Sequence, residues 1–172
     1  IVGGCGYVGG AVVDALLEVM SVGGIRVLDT LLYESQYLKP VHFERLDIRN
    51  RPALATHLDW ADCVIWLAAI VGDGACALDP REAVEVNQRA VEWLSGVYDG
   101  RIIFPSTCSV YGAQDALLDE SSPTGPLSVY AQTKLAAEET ELDKLGLEAE
   151  ATRDALVNAE AAYAEMIRSV EL

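Results

Sequence analysis

Gly3-Gly4-Cys5-Gly6-Tyr7-Val8-Gly9 is the stretch on which the reading of this chain turns. Ahead of it stand the apolar Ile1 and Val2, and behind it Ala11–Met20 has helical spacing. The glycines recur as Gly3-x-x-Gly6-x-x-Gly9 and also as Gly4-x-Gly6-x-x-Gly9. At that spacing glycine permits a tight turn, lets backbone approach a pyrophosphate, and allows close helix–strand packing. The free N–H groups at the helix start then face the anion. Glycines serve ordinary turns too, so the surroundings decide. Ile25–Leu28 reads as a strand closed by Asp29, which lies 20 residues beyond Gly9. An acid there can accept hydrogen bonds from a ribose diol, although as a plain turn residue it would cap backbone N–H groups. Strand, glycine turn, helix, strand and acid in that order point to a bound dinucleotide. Asp29 favours NAD over NADP, because a carboxylate repels a 2′-phosphate, and Arg26 lies inside the strand rather than as a phosphate clamp.

Outward from that unit the alternation continues. Phe43–Leu46 is a short extended run, Arg51–Leu58 is helical, and Cys63–Ala69 is continuously apolar, as a strand buried on both faces should be. Arg81–Leu94 has helical spacing and Arg101–Pro105 reads as a further buried strand. Strands alternating with helices predict an α/β fold, a Rossmann-type doubly wound parallel sheet. Two places depart from this rhythm. The first strand has two residues before its turn, where about five is ordinary, so an earlier start to the natural chain is expected. After Lys134 the pattern is nearly unbroken helix to Leu172, and Leu145-Gly-Leu-Glu-Ala, which ordinarily introduces a strand, passes straight into another helical stretch. We therefore expect a segment to be absent near 148–152. Residues 1–148 then form the dinucleotide-binding domain with its catalytic residues, and 149–172 a fragment of a small C-terminal substrate lobe.

Composition narrows the classes. The chain of 172 residues is 51% hydrophobic, enough for one domain with a sizeable core. Its formal charge of −15, from 12 basic and 27 acidic residues, argues against nucleic-acid binding, which needs a cationic surface. Apolar runs such as Cys63–Val71 are too short to span a bilayer, and no charged leader precedes an apolar segment, so neither membrane insertion nor secretion is expected. Cys5, Cys63, Cys76 and Cys108 lack CxxC spacing and read as reduced thiols of a cytoplasmic protein. His42 and His57 have no metal-ligand spacing with any cysteine or acid, so no metal is expected. Trp60, Trp66 and Trp93 fall on apolar runs as core or interface residues, and Tyr33 and Tyr37 read as surface packing.

Two later segments carry chemistry. Tyr130-Ala-Gln-Thr-Lys134 places Tyr and Lys four apart, on one face of a helix. A nearby ammonium stabilises a phenolate and makes the tyrosine a usable base. On its own the pair is as readily a solvated helix face. Upstream, Phe104-Pro-Ser-Thr-Cys-Ser-Val-Tyr-Gly112 ends a strand with hydroxyls, which can hydrogen-bond a sugar hydroxyl undergoing oxidation.

Together these pieces resemble the extended short-chain dehydrogenases, the sugar-nucleotide epimerase/dehydratase family. The resemblance runs from Ile1 to about Leu145. It rests on GGCGYVGG at 3–10, Leu28-Asp29, Leu46-Asp-Ile48, Val64–Ala69, Asp79-Pro80, Val86-Asn87, STCSVYG at 106–112, and Tyr130 with Lys134. It implies that Gly3, Gly6 and Gly9 form the phosphate turn, with the backbone of Tyr7 and Val8 at the pyrophosphate. Asp29 then holds the adenosine ribose, Asp47 and Ile48 flank the adenine, and Leu67, Ala68 and Ala69 line the path to the nicotinamide. Asn87 is implied near the active site and substrate, Thr107 matches the catalytic Ser/Thr, Tyr130 is the base, and Lys134 is its partner and a ligand of the nicotinamide ribose. Arg153–Asn158 resembles the entry to the smaller lobe, where Asn158 would contact substrate.

The implied chemistry is transient oxidation at C4 of a nucleotide sugar to a 4-keto intermediate. Relatives that are 4,6-dehydratases carry Asp-Glu directly after the catalytic Thr, whereas this chain has Cys108-Ser109. A thiol is a poor proton donor near pH 7, and Cys108 reads as packed. A 4-epimerase is therefore the expectation, with a dehydrogenase, reductase or 4,6-dehydratase of the same family, or a non-catalytic NAD-binding protein, as alternatives. Relatives pair through the helices at 81–94 and 128–142, which implies a homodimer.

Overall fold

The computed structural model describes residues 1–145, with side chains to residue 140. The expected domain boundary after 148, and Asn158, lie outside the described residues. Helix α1 spans Tyr7–Val19, β1 Arg26–Asp29, β2 His42–Arg45, α2 Arg51–Leu58 and β3 Cys63–Ile65. Then come α3 Asp73–Leu78, α4 Pro80–Val84, a π turn Glu85–Arg89, α5 Ala90–Val97, β4 Arg101–Ile103, a 3-10 turn Cys108–Tyr111 and α6 Val129–Leu145.

All pairings are parallel. β1 pairs with β2 from Arg26↔His42 to Asp29↔Arg45, and β3 with β4 from Cys63↔Arg101 to Ile65↔Ile103. Val2 joins the two pairs, bridging Leu28 on one side and Trp66 on the other. The order across the sheet is β2–β1–Val2–β3–β4, the parallel sheet expected from the alternation. Parallel ladders bring every strand's C-terminal end to one edge, where ligands of such sheets bind. The core beneath contains Val2, Leu28, Leu46, Leu54, Val64, Trp66, Val91, Leu94 and Phe104.

Local signals set several helix starts. Asn50 caps α2, accepting from the Ala53 N–H, with Pro52 in the first turn. Asp79 caps α4 through the N–H groups of Arg81 (3.1 Å) and Glu82 (3.0 Å), with Pro80 behind it. α1 begins at Tyr7 rather than Ala11, directly on the glycine turn.

Other expectations are corrected. The run Cys63–Ala69 is not one strand buried on both faces: Cys63 is exposed and the ladder ends after Trp66. Leu67 and Ala68 both donate to the Val2 carbonyl, at 2.7 and 3.0 Å, which turns the chain away from the sheet. Arg101–Pro105 is likewise not a buried strand, since Arg101 and Ile103 are exposed and only Phe104 is buried. Among the described residues β4 pairs with β3 alone. The helix at 81–94 is interrupted by the π turn. Trp66 is a core residue, whereas Trp60 is exposed beneath the Arg26 guanidinium, 4.2 Å from its ring centroid. Cys108 is exposed rather than packed, and all four cysteines are free thiols.

Candidate active site

The glycine turn is shaped by two close approaches and one opening. Gly3 sits at φ +79, and a Cβ there would lie 2.4 Å from the Ala68 nitrogen, so only glycine fits. A Cβ at Gly9 would lie 2.5 Å from the Gly4 Cα, which brings α1 tight against the turn. Gly6 is different: the nearest atom to a Cβ there is the Gly3 oxygen at 3.9 Å. Nothing inside the chain requires glycine at that exposed position. Gly6 caps α1 without a side-chain hydrogen bond, and the first turn holds no acidic residue. The positive helix end is thus presented at exposed Tyr7 and Val8.

Asp29 ends β1 beside this turn. Its Oδ2 accepts from the Cys5 N–H at 2.9 Å and its Oδ1 from the Leu31 N–H at 2.8 Å, with Leu31 held at φ 55. The turn-capping role weighed for Asp29 is therefore present. Two carboxylate oxygens offer about four lone-pair sites, so capacity remains for a further donor. Burial and the neighbouring Asp29 push the Cys5 thiol up to about 12, so it stays protonated. Lys39 donates to the Gly10 carbonyl at 2.8 Å and pairs with Asp14, tying the loop after β1 to α1.

Along the same edge, Asp47 follows β2 and is gripped by Arg49, whose Nε lies 2.9 Å from Oδ1 and whose terminal nitrogen lies 2.6 Å from Oδ2. Arg49 reaches Glu82 as well, at 3.0 Å, and its hydrogen bonds hold the Asp47 carboxyl below the ordinary carboxylate range. Ile48 beside it is buried in the core. Leu67, Ala68 and Ala69 follow β3, half-buried, with Ala68 against Gly3.

Asn87 is 1% exposed. Its Oδ1 accepts from the Ile70 N–H at 2.7 Å, and its Nδ2 donates to the Ile70 carbonyl at 2.9 Å and to Thr133 Oγ1 at 3.3 Å. It therefore joins the loop after β3 to α6. The π turn carries it, and π turns inside helices recur at functional sites. Cys76 donates to the same Ile70 carbonyl at 3.2 Å.

Thr107 caps the 3-10 turn, accepting from the Ser109 N–H at 3.3 Å. Gly112 at φ +70 closes that turn against the Gly125 carbonyl. α6 rests on this turn, on the π turn and on α5. Tyr130 is half-buried in its first turns, and Lys134, one turn on, is 5% exposed with Nζ 3.8 Å from the Phe104 ring centroid. Burial pulls Lys134 down to about 7, and the charge of Glu138 opposes that fall.

The edge thus gathers the glycine turn, Asp29, Asp47, the 67–70 loop and Thr107, while Asn87 and Lys134 approach through α6 and its contacts. Several residues escaped the sequence reading. Phe104 and Glu138 flank Lys134, Thr133 binds Asn87, and the Ser106 hydroxyl, beside Thr107, is buried with no hydrogen-bond partner among the described residues. Glu138 was the most accessible of these, since it continues the four-residue spacing of Tyr130 and Lys134. Among the described residues no group of three or more His, Cys, Asp or Glu could hold a metal ion, and no helix is long and apolar enough to cross a membrane.

Comparison with known proteins places this geometry. The sequence pattern described as the NAD dependent epimerase/dehydratase family matches residues 1–143. A UDP-glucose 4-epimerase structure is similar at 28% identity and a TM-score of 0.72, over 80% of this chain and 44% of that one. The UDP-glucuronic acid 4-epimerase from Bacillus cereus, in complex with NAD, is 27% identical with a TM-score of 0.71, over 86% and 52%. A double mutant of the dTDP-glucose 4,6-dehydratase from Streptomyces venezuelae, with NAD bound, is 26% identical with a TM-score of 0.73, over 85% and 52%. The chain spans about half the length of these proteins. With the family pattern covering most of its length, residues 1–143, the chain belongs to the NAD dependent epimerase/dehydratase family.

Proposed function

We propose that this chain is the cofactor-binding and catalytic part of an NAD-dependent 4-epimerase of a nucleotide sugar. The residues present fit the dinucleotide: a Cβ at Gly6 would come no nearer than 3.9 Å to any described atom, and the start of α1 has no side-chain cap and no acid in its first turn. Gly3, Gly9 and the backbone of Tyr7 and Val8 hold the pyrophosphate, Asp29 the adenosine ribose, and Asp47 with Ile48 the adenine. Leu67, Ala68 and Ala69 line the path to the nicotinamide. NAD, when bound, supplies the hydride acceptor and donor for the sugar carbon.

The chain's own groups handle the proton. Tyr130 as phenolate takes the proton of the C4 hydroxyl, and Thr107 hydrogen-bonds that oxygen as the 4-keto sugar forms. Lys134 lowers the phenol's proton affinity and bonds the nicotinamide ribose. Asn87, with its amide engaged by Ile70 and Thr133, positions the loop after β3 against α6. For inversion the keto sugar must turn over before reduction, and no further acid or base is needed.

One observation carries epimerisation over dehydration. The two residues after Thr107, Cys108 and Ser109, are both exposed at the head of the 3-10 turn, and neither is a carboxylate. Removal of water from C5–C6 needs an acid and a base there. A lobe beyond residue 148, with Asn158 at the substrate, would complete the nucleotide-sugar pocket. The homodimer belongs to the same proposal, through α4–α5 and α6; unchanged solution mass after replacing apolar residues on those helices would count against it.

The test is incubation of the full-length protein with NAD and UDP-, GDP- and dTDP-sugars, with products followed by NMR. C4 epimers interconverting without net NADH, abolished in Tyr130→Phe, are the expected result. A 4-keto-6-deoxy product would overturn the assignment, and stoichiometric NADH would make the chain a dehydrogenase.

A further inference from the structure

Among the described residues, the mechanism leaves a buried carboxylate unused. Glu138 lies on α6 at 2% exposure, one turn beyond Lys134 at 5% and two turns beyond Tyr130. Residues four apart on a helix share a face, so the three form a line running from the site into the interior. A carboxylate so deeply buried is costly unless an opposite charge accompanies it. The same holds for the lysine, whose ammonium has lost its water.

We propose that Glu138 is a positioning residue: it serves as the internal counter-ion that keeps Lys134 charged, so that Lys134 can in turn hold Tyr130 as phenolate. The inference rests on the reading of Tyr130 and Lys134 given above. The π face of Phe104, 3.8 Å from Nζ, favours the cation from a second side. Burial acts the other way and brings Lys134 to about 7, and Glu138 is the one charge that counters it. The charged side chains on the elements packed against α6 are Asp73, Arg81, Glu82, Glu85, Arg89 and Glu92, all at least partly exposed. Cys76 and Tyr111 are the buried titratable groups on those elements. A neutral lysine offers the phenol no field. Without Glu138, the burial that pulls Lys134 down goes unopposed, and Tyr130 reverts toward an ordinary phenol.

The experiment is a titration of the phenolate absorbance in the full-length protein without cofactor, each variant read against its Tyr130→Phe counterpart so that other tyrosines cancel. Glu138→Gln should raise the Tyr130 midpoint by about one pH unit, roughly tenfold less phenolate at a fixed pH below it, and Glu138→Asp should raise it by less. Lys134→Met should raise it at least as far, after which Glu138→Gln should add nothing. The sign is diagnostic, because a direct effect of removing a negative charge near Tyr130 would lower the midpoint instead. If Lys134→Met raises the midpoint and Glu138→Gln leaves or lowers it, the counter-ion role is wrong while the Tyr130–Lys134 pairing stands. If Lys134→Met has no effect, that pairing fails and the proposed function with it. Should Glu138→Gln not fold, the Glu138→Asp shift, absent in the Lys134→Met background, decides the same question.

Discussion

The glycine turn and the lysine pocket lie at the same end of the sheet, yet they are made of different materials. The turn is backbone: two glycines demanded by contacts within ångströms, one left open, and a carboxylate holding Cys5 and Leu31 by their N–H groups. The pocket is side chain: a buried amide, a buried ammonium and a buried carboxylate, drawn from the π turn and α6 and set against Phe104. A backbone site is specified within a few residues and fails sterically. A buried polar site is specified across the chain and fails electrostatically, because each member is tolerable only while its partners remain.

The sharpest way to break this contrast is at the glycines. Gly3→Ala would place a Cβ 2.4 Å from the Ala68 nitrogen at a positive φ, and should destabilise the fold by at least about 3 kcal/mol in chemical denaturation. Gly6→Ala should change stability by under about 1 kcal/mol yet weaken NAD binding by roughly tenfold or more in calorimetry, about 1.4 kcal/mol. Equal effects at both positions would erase the distinction between turn and opening.

On the pocket side, Asn87→Ala strands the Ile70 N–H and takes one donor each from the Ile70 carbonyl and the Thr133 hydroxyl, which keep Cys76 and the Tyr130 carbonyl as partners, so a loss of about 2 kcal/mol is expected in the same denaturation assay. A loss below about 1 kcal/mol would mean water takes over the amide's role. Lys134 sharpens the comparison by pH. Its folded value near 7 lies below the ordinary 10.5, so from pH 7 upward the unfolded chain binds more protons and stability rises with pH. Above about pH 9 the Cys5 and Cys76 thiols, raised by burial, reverse the trend, since there the folded state keeps the protons. Between pH 7 and 9 Lys134 should contribute a gain of about 2 kcal/mol, and Lys134→Met should lose that part of the rise. The smallest effect belongs to Asp29→Asn, which keeps one acceptor oxygen and loses the charge. A stability loss of about 1 kcal/mol is expected, together with a narrowed preference for NAD over NADP in paired binding titrations.

Much of this was legible from residues alone, because the signals are local. The glycine spacing, Asp29 at the end of Ile25–Leu28 and the four-residue spacing of Tyr130 and Lys134 each act over a short stretch of chain, so short-range sterics and hydrogen bonding suffice to read them. Asp29 was read in place, together with its alternative role as a turn cap. Burial was misjudged where it depends on neighbours: apolar runs at 63–69 and 101–105 look like strands buried on both faces, but the cover of an outer strand is not written in its own residues. Cys108 was misjudged for the same reason: with no chemical role assigned to it, the thiol was expected to pack, but it is exposed on its turn.

By itself, then, the sequence determined the order of strands and helices, the glycine turn and the spacing of Tyr130 with Lys134, all properties of neighbours along the chain. Only the tertiary structure decided that a π turn swings Asn87 onto Ile70 and Thr133, 46 residues away in the second case. It alone set Lys134 over the Phe104 ring, with Glu138 buried a turn behind it. The reason is that desolvation belongs to the assembled interior: a side chain's charge and its partners depend on what covers it, and the covering residues come from segments far apart in the chain.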